Sequence, residues 1–234
     1  MALDDVVERI RPADRDAMRA AERRQRRLTK PPGSLGRLEE LSIQLADIFG
    51  TDRPRPRGKT VVVAAADHGV VARGVTGYPQ AVTAQMVLNF LAGGAAVNAM
   101  ARTADVDLVV VDAGVATPLP AHPDLRVLGA GRGAADITRG PAMTREQAEG
   151  CVSAGVEIAL EAAEAGADLI GAGDMGIGNT TASSAIAAAI TGRPPIETTG
   201  RGTGRTDVEL ARKANRVVTL SGGRIQKIES VTAP

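Results

Sequence analysis

Three short apolar segments, at residues 60–66, 106–111 and 168–172, constrain the fold of this chain most. An Asp-x-Gly tripeptide follows the first two directly and the third after one further residue. Each segment is apolar on both faces, which is typical of strands in a parallel sheet covered by helices on both sides. Helical patterns separate the segments. The predicted fold class is therefore α/β, with a Rossmann-like, mostly parallel sheet and helices on both faces.

The N-terminal part of the chain has a different pattern. Leucines recur at helical spacing over residues 35–45, Pro12 can open a helix, and the KPPG segment at residues 30–33 interrupts the pattern. A charged linker with two prolines (TDRPRPRGK) follows. We predict an N-terminal helical region over residues 1–55 and an α/β domain over residues 56–234.

Helices of the α/β domain are marked by their caps and breaks. A helix is predicted over residues 80–101, with the Gly93-Gly94 pair interrupting it, and another over residues 179–190. Thr144 and Gln147 form a capping box at the start of a long alanine-rich helix.

Composition excludes several classes of function. The chain has 28 Lys+Arg against 27 Asp+Glu and only three aromatic residues, so we predict no nucleic-acid partner. One cysteine and two histidines cannot build a zinc cluster, and no metal is predicted. No apolar run reaches the roughly 18 residues of a membrane span, and the first residues do not resemble a signal peptide. We expect a cytoplasmic protein with no membrane partner.

The three strand ends carry the carboxylates Asp67, Asp112 and Asp174. Because the carboxyl ends of parallel strands line one crevice, the three carboxylates are expected to converge on a ligand site. The alternative is that each Asp only stabilises a turn after its strand. We favour the site for the three together.

The segment over residues 171–181 (GAGDMGIGNTT) is the richest in glycine. It contains the G-x-G-x-x-G spacing, but the segment after its helix, TGRPPIETTG, does not fit the next strand of a dinucleotide fold. It also lacks the Lys that a triphosphate-binding loop requires. What remains is a loop whose backbone N–H groups, with a helix starting at Asn179, can bind one phosphate. A side chain at Gly176 is expected to clash with that phosphate. The alternative is an ordinary strand-to-helix turn.

Two further segments are candidates for ligand binding. Residues 200–205 (GRGTGR) precede a predicted helix that carries Lys213 and Arg216, and Lys213 could reach an anion or simply be solvated. The loop over residues 67–80 holds the only tyrosine and one of the two histidines, His68, which could also be a turn residue.

Five motifs together resemble those of the nicotinate-nucleotide:dimethylbenzimidazole phosphoribosyltransferase family, which makes the lower-ligand nucleotide of cobalamin. The motifs occur in order and the resemblance covers roughly residues 10–216. They are KPPGSLGRLEEL, AADHGVVARGVTGYPQAVTAQMVLNFLAGGAAVN, VDAGV, GDMGIGNTTASSAI and GRGTG. The resemblance implies transfer of phosphoribose from nicotinate mononucleotide to dimethylbenzimidazole, in a homodimer without a cofactor.

The resemblance also implies roles for particular residues. Asp174 is the catalytic carboxylate that stabilises the sugar as positive charge develops, at a place where the family often has Glu. The phosphate and nucleotide would be bound by Gly173, Gly176, Ile177, Gly178, Asn179, Thr180, Gly202 and Lys213. The benzimidazole would lie against Tyr78, Pro79, Gln80 and Gln85.

One feature of the family has no counterpart in this sequence. The family's general base is a Glu in a Gly-Glu-Gly segment near the C-terminus, and this sequence contains no such segment. The resemblance therefore implies an α/β domain that is incomplete at its C-terminus, and little turnover by the 234-residue chain alone. The alternative function is a truncated or divergent protein that binds a nucleotide or an azole without catalysis.

Overall fold

The computed structural model describes residues 3–200, 202, 216–221 and 224–230. The predicted phosphate ligand Lys213 lies outside these residues. The chain divides into two compact units, Met1–Gly58 and Lys59–Pro234. We call them the N-terminal unit and the α/β unit.

The N-terminal unit consists of helices α1 (Leu3–Glu8), α2 (Arg15–Arg27) and α3 (Arg37–Phe49). The prediction that Pro12 opens a helix is wrong. Helix α2 begins at Arg15 because the Asp14 side chain caps it, with Oδ1 accepting the backbone N–H groups of Asp16 and Ala17 at 3.0 Å.

The α/β unit is built around a four-stranded sheet in the order β3-β2-β1-β4. Its strands are β1 (Gly58–Ala66), β2 (Asp107–Gly114), β3 (Leu125–Val127) and β4 (Ala167–Met175), and β1 with β2 and β2 with β3 pair in parallel. The helices are α4 (Val82–Leu91), α5 (Ala96–Ala104), α6 (Arg145–Glu164), α7 (Asn179–Thr191) and α8 (Pro195–Thr198). The predicted α/β class with a parallel sheet is confirmed.

The core of this unit lies between the sheet and helix α4. Val63 and Ala65 of β1 pack with Val110 of β2 and with Val87 and Phe90 of α4. By length and composition, Val82–Ala104 could cross a membrane. In the structure this stretch is two helices, with a break that contains the predicted Gly93-Gly94 interruption, and α4 contributes to the core.

Two local predictions have opposite outcomes. The capping box is confirmed, because Thr144 Oγ1 accepts the Gln147 N–H at 3.2 Å and Gln147 Oε1 accepts the Thr144 N–H at 2.9 Å. The predicted helix through Arg216 is wrong at that residue. Arg216–Ser221 is a strand, β5, that pairs antiparallel with β6 (Arg224–Ser230), as its β-branched residues favour.

Candidate active site

A cavity of about 400 Å³ lies at the carboxyl end of β4, between the glycine-rich loop and helix α4. We call it the glycine-loop cavity. One wall is the segment from Met175 to Thr181, together with Gly202. The other wall is formed by Val75, Thr76, Tyr78, Val82 and Met86. One wall is thus the glycine-rich segment, and the other consists mostly of apolar residues.

Most of the predicted phosphate-binding residues line this cavity. They are Gly176, Ile177, Gly178, Asn179, Thr180 and Gly202. Gly173 is not among the lining residues and lies within β4, where a Cβ would be 3.7 Å from the Val62 carbonyl oxygen. It therefore packs against β1 instead of facing the cavity.

The predicted benzimidazole-binding residues are divided. Tyr78 lines the cavity, whereas Pro79, Gln80 and Gln85 are not among its lining residues. Helix α4 presents Val82 and Met86 instead, which are four residues apart and so share one helix face. The sequence pattern did not indicate Val82 as a site residue, and it favoured a core position for Met86 over a ligand contact; Met86 both lines the cavity and packs against the core. The helical spacing of the two residues was the available signal.

The glycine-rich loop is fixed by hydrogen bonds that leave some of its amides free. The Ile177 N–H donates to Thr83 Oγ1 at 3.1 Å, and the Asn179 N–H donates to the Gly176 carbonyl at 3.0 Å. Within the described part of the chain, the N–H groups of Gly176 and Gly178 have no hydrogen-bond partner. The predicted phosphate donor Ile177 is thus already engaged. Two amides and the N-terminus of α7 remain suited to an anion.

Asp174 lies beside this loop and is tied to the first turn of α7. The Asn179 side-chain amide donates to Asp174 Oδ2, while Asn179 Oδ1 accepts the Thr180 N–H at 2.8 Å. Asp174 is exposed and is not among the residues that line the glycine-loop cavity. Its carboxylate is therefore bound by Asn179, a residue of the cavity wall, and open to solvent.

The expected convergence of three carboxylates is wrong for Asp112. Its Oδ1 accepts the N–H groups of Gly114 and Val115, and it lines a different cavity. The turn interpretation therefore holds there. Asp67 is 1% exposed and its Oδ2 accepts the Ala116 N–H at 2.8 Å, so it ties the end of β1 to the loop after β2.

His68 interacts electrostatically with both the Asp67 and the Asp174 carboxylate. Burial lowers the pKa of His68, and the two carboxylates raise it by less than burial lowers it. The imidazole is therefore neutral at pH 7. A Cβ at Gly176 would lie 3.0 Å from His68 Nε2 and would overlap the Ala66 carbonyl oxygen. The expectation that a side chain at Gly176 would meet the phosphate is thus corrected: it would first meet the protein's own backbone.

The lowered pKa of His68 predicts that stability falls on mild acidification. The unfolded chain takes up the proton first, so this stabilising contribution is complete above pH 6.5 and is lost as pH falls through the lower folded-state pKa. We expect wild type to lose more unfolding free energy between pH 7 and pH 5 than His68→Gln, measured by urea denaturation.

The chain offers a matched control for this measurement, because it has only two histidines. His122 is partly exposed in a loop of the same unit, and His122→Gln should keep the wild-type loss of stability. An identical pH dependence in wild type and His68→Gln would show that His68 does not carry the effect.

Fold and site together define an α/β protein with a glycine-rich loop between a strand and a helix N-terminus. Among the described residues, no group of three or more His, Cys, Asp or Glu is placed to hold a metal ion. A family model, DBI_PRT, described as phosphoribosyltransferase, matches residues 10–224. The chain belongs to this phosphoribosyltransferase family.

Relatives in this family carry a more specific name. A nicotinate-nucleotide--dimethylbenzimidazole phosphoribosyltransferase from Roseiflexus sp. (strain RS-1) is 56% identical over 211 residues, which are 90% of this chain and 60% of that protein. A protein of the same name from Deinococcus radiodurans is 51% identical, over an alignment that covers 92% of this chain and 61% of that protein. The crystal structure of CobT from Thermus thermophilus matches with a TM-score of 0.81 and 52% identity, covering 85% of this chain and 60% of that one. The chain thus spans about 60% of the length of these relatives.

Proposed function

We propose that this chain binds nicotinate mononucleotide in the glycine-loop cavity and takes part in transferring its phosphoribosyl group to dimethylbenzimidazole. The products are α-ribazole phosphate and nicotinate, for assembly of the cobalamin lower ligand. The observation that carries the proposal is the pair of unpartnered amides at Gly176 and Gly178 in the described part of the chain, placed at the N-terminus of α7 beside Asp174. The names of the relatives agree with it.

The residues suit this transfer. The azole nitrogen forms a bond to C1′ of the ribose as the bond from C1′ to the pyridinium nitrogen breaks, and the bonding pair leaves with nicotinate. The other azole nitrogen loses its proton to water. Positive charge develops on the sugar as its bond to the pyridinium nitrogen breaks, and a nearby carboxylate such as Asp174 stabilises it. The apolar wall of Tyr78, Val82 and Met86 suits the flat benzimidazole.

Two properties of the proposed enzyme rest on the family resemblance. We propose that it acts as a homodimer and in the cytoplasm. A single cysteine, which cannot form an intrachain disulfide, agrees with a reducing compartment.

The phosphate contact can be tested without changing the protein. Calorimetry should show that nicotinate riboside, which lacks only the phosphate, binds at least about tenfold more weakly than nicotinate mononucleotide, a difference of about 1.4 kcal/mol. Tyr78 is the only tyrosine of a chain without tryptophan, so tyrosine fluorescence reports binding at this cavity directly. Equal affinities for the two compounds would show that the glycine-rich loop does not bind the phosphate.

Turnover is a separate measurement. Nicotinate mononucleotide and dimethylbenzimidazole are incubated with the purified chain, and α-ribazole phosphate is measured by chromatography. Product above the enzyme-free rate supports the transferase function, whereas tight binding of both substrates without any product supports binding alone.

A further inference from the structure

Thr83 is a fully buried polar residue that contacts the glycine-rich loop but is not among the residues lining its cavity. It is 0% exposed, and its Oγ1 accepts the Ile177 N–H at 3.1 Å across 94 residues of sequence. This hydrogen bond joins helix α4 to the loop that follows β4. The two walls of the glycine-loop cavity are therefore connected through one side-chain oxygen.

The position of Thr83 on α4 makes this oxygen a rigid anchor. Val87 and Phe90 follow it by four and seven residues, and both are buried in the core. The neighbouring residue Val82 and the more distant Met86 line the cavity instead. A β-branched side chain on a helix has few rotamers, so the hydroxyl cannot easily follow a loop that moves.

The hydrogen bond determines how the three central peptides of the loop are oriented. It directs the Ile177 N–H towards Thr83 of α4, a residue that does not line the cavity. Gly176 and Gly178 flank Ile177. Their N–H groups have no hydrogen-bond partner in the described part of the chain. Because glycine peptides rotate freely, a fixed point between them is needed to preorganise both amides.

We propose that Thr83 is a positioning residue that sets the phosphate affinity of the glycine-rich loop without touching the ligand. This inference rests on the proposed binding of nicotinate mononucleotide. A purely structural role for Thr83 makes a different prediction, namely loss of stability with unchanged selectivity for the phosphate.

Two substitutions at Thr83 separate these roles. Thr83→Val keeps the shape but removes the acceptor, leaving the part-buried Ile177 N–H without its partner. We expect it to weaken binding of nicotinate mononucleotide about tenfold and to reduce the preference for the mononucleotide over nicotinate riboside. Thr83→Ser restores the acceptor and should return both values to within about threefold of wild type.

Thr60→Val is the matched control. Thr60 is also a buried threonine, at 7% exposure, but it lies near the start of β1, at the opposite end of that strand from the site. Thr60→Val should leave the affinity for nicotinate mononucleotide and the preference over nicotinate riboside unchanged, even where it changes thermal stability. The inference is overturned if Thr83→Val folds and binds like wild type, or if Thr83→Ser loses as much affinity as Thr83→Val.

Amide hydrogen exchange of the wild-type chain gives a test that needs no variant. The Ile177 N–H should be protected both without ligand and with nicotinate mononucleotide, because Thr83 holds it in both states. Protection that appears only with the ligand would place this N–H on the phosphate and overturn the inference. If wild type binds no nicotinate mononucleotide, the proposed function fails, while protection of Ile177 in the free chain would still show the Thr83 anchor.

Discussion

Gly69→Ala is expected to lower the free energy of unfolding of the α/β unit by about 3 kcal/mol, at the upper end of what overpacking costs. A Cβ at Gly69 would lie 2.6 Å from Asp136 N, 2.7 Å from Ala135 C and 2.8 Å from Ala134 O. All three are backbone atoms, so no side-chain rotation relieves the overlap. Urea denaturation followed by circular dichroism measures the change.

Gly155→Ala provides the control for this substitution. Gly155 lies within α6, and a Cβ there meets no atom within 4 Å. Alanine should therefore raise the free energy of unfolding by roughly 0.5–1 kcal/mol, the ordinary gain for a glycine in a helix. If Gly69→Ala leaves the free energy of unfolding unchanged or raises it, as Gly155→Ala should, the close packing at Gly69 is contradicted.

The reason for Gly69 was not visible in the sequence. Asp67-His68-Gly69 predicts a turn after a strand, and a turn alone would tolerate other residues at position 69. The structure adds a segment distant in sequence: the Gly69 N–H donates to the Ala134 carbonyl, and the Ala134 N–H donates to the Asp67 carbonyl, both at 2.9 Å. Contacts of this kind depend on how the loop after β3 folds back, which no local pattern encodes.

The fold was predictable where local signals and tertiary packing agree. Apolar strands and a reciprocal capping box can be recognised from a few consecutive residues, and both β1 and α6 are found where the pattern predicts them. The three-residue strand β3 was missed because its formation depends on pairing with β2: Leu125 is buried there, while Val127 is exposed. Too few residues carry the alternation for the strand to be recognised alone.

In the candidate site, too, local sequence predicts one part, and tertiary packing decides the other. Glycine spacing identifies the loop that lines one wall of the cavity. The other wall depends on the rotation of α4 about its axis, which the core contacts of Val87 and Phe90 set. That rotation directs Met86 into the cavity wall and leaves Gln85 outside the lining residues. Gln85 was expected at the benzimidazole from the family resemblance, but the helix phase decides which side chain lines the cavity.

Asp174→Asn is expected to lower the rate of nicotinate release about a hundredfold, or about 2.7 kcal/mol in the activation barrier. The substitution removes the negative charge that would stabilise the developing positive charge on the sugar. It retains a side-chain oxygen that can accept the Asn179 amide, so the first turn of α7 keeps its contact. Nicotinate release is measured with dimethylbenzimidazole present and, for slow hydrolysis by water, with it absent.

Binding and rate must be separated for this variant. A carboxylate that acts on the transition state changes the rate much more than the affinity for the neutral-sugar ground state, so the dissociation constant of nicotinate mononucleotide should change by less than about threefold. Asp112→Asn is the control, since Asp112 also lies near the carboxyl end of an apolar strand, but its carboxylate accepts hydrogen bonds only from the Gly114 and Val115 N–H groups in the described part of the chain. Its folded fraction should release nicotinate at the wild-type rate. A wild-type rate in Asp174→Asn would instead make Asp174 the counterpart of Asp112, a residue that only organises the chain after its strand.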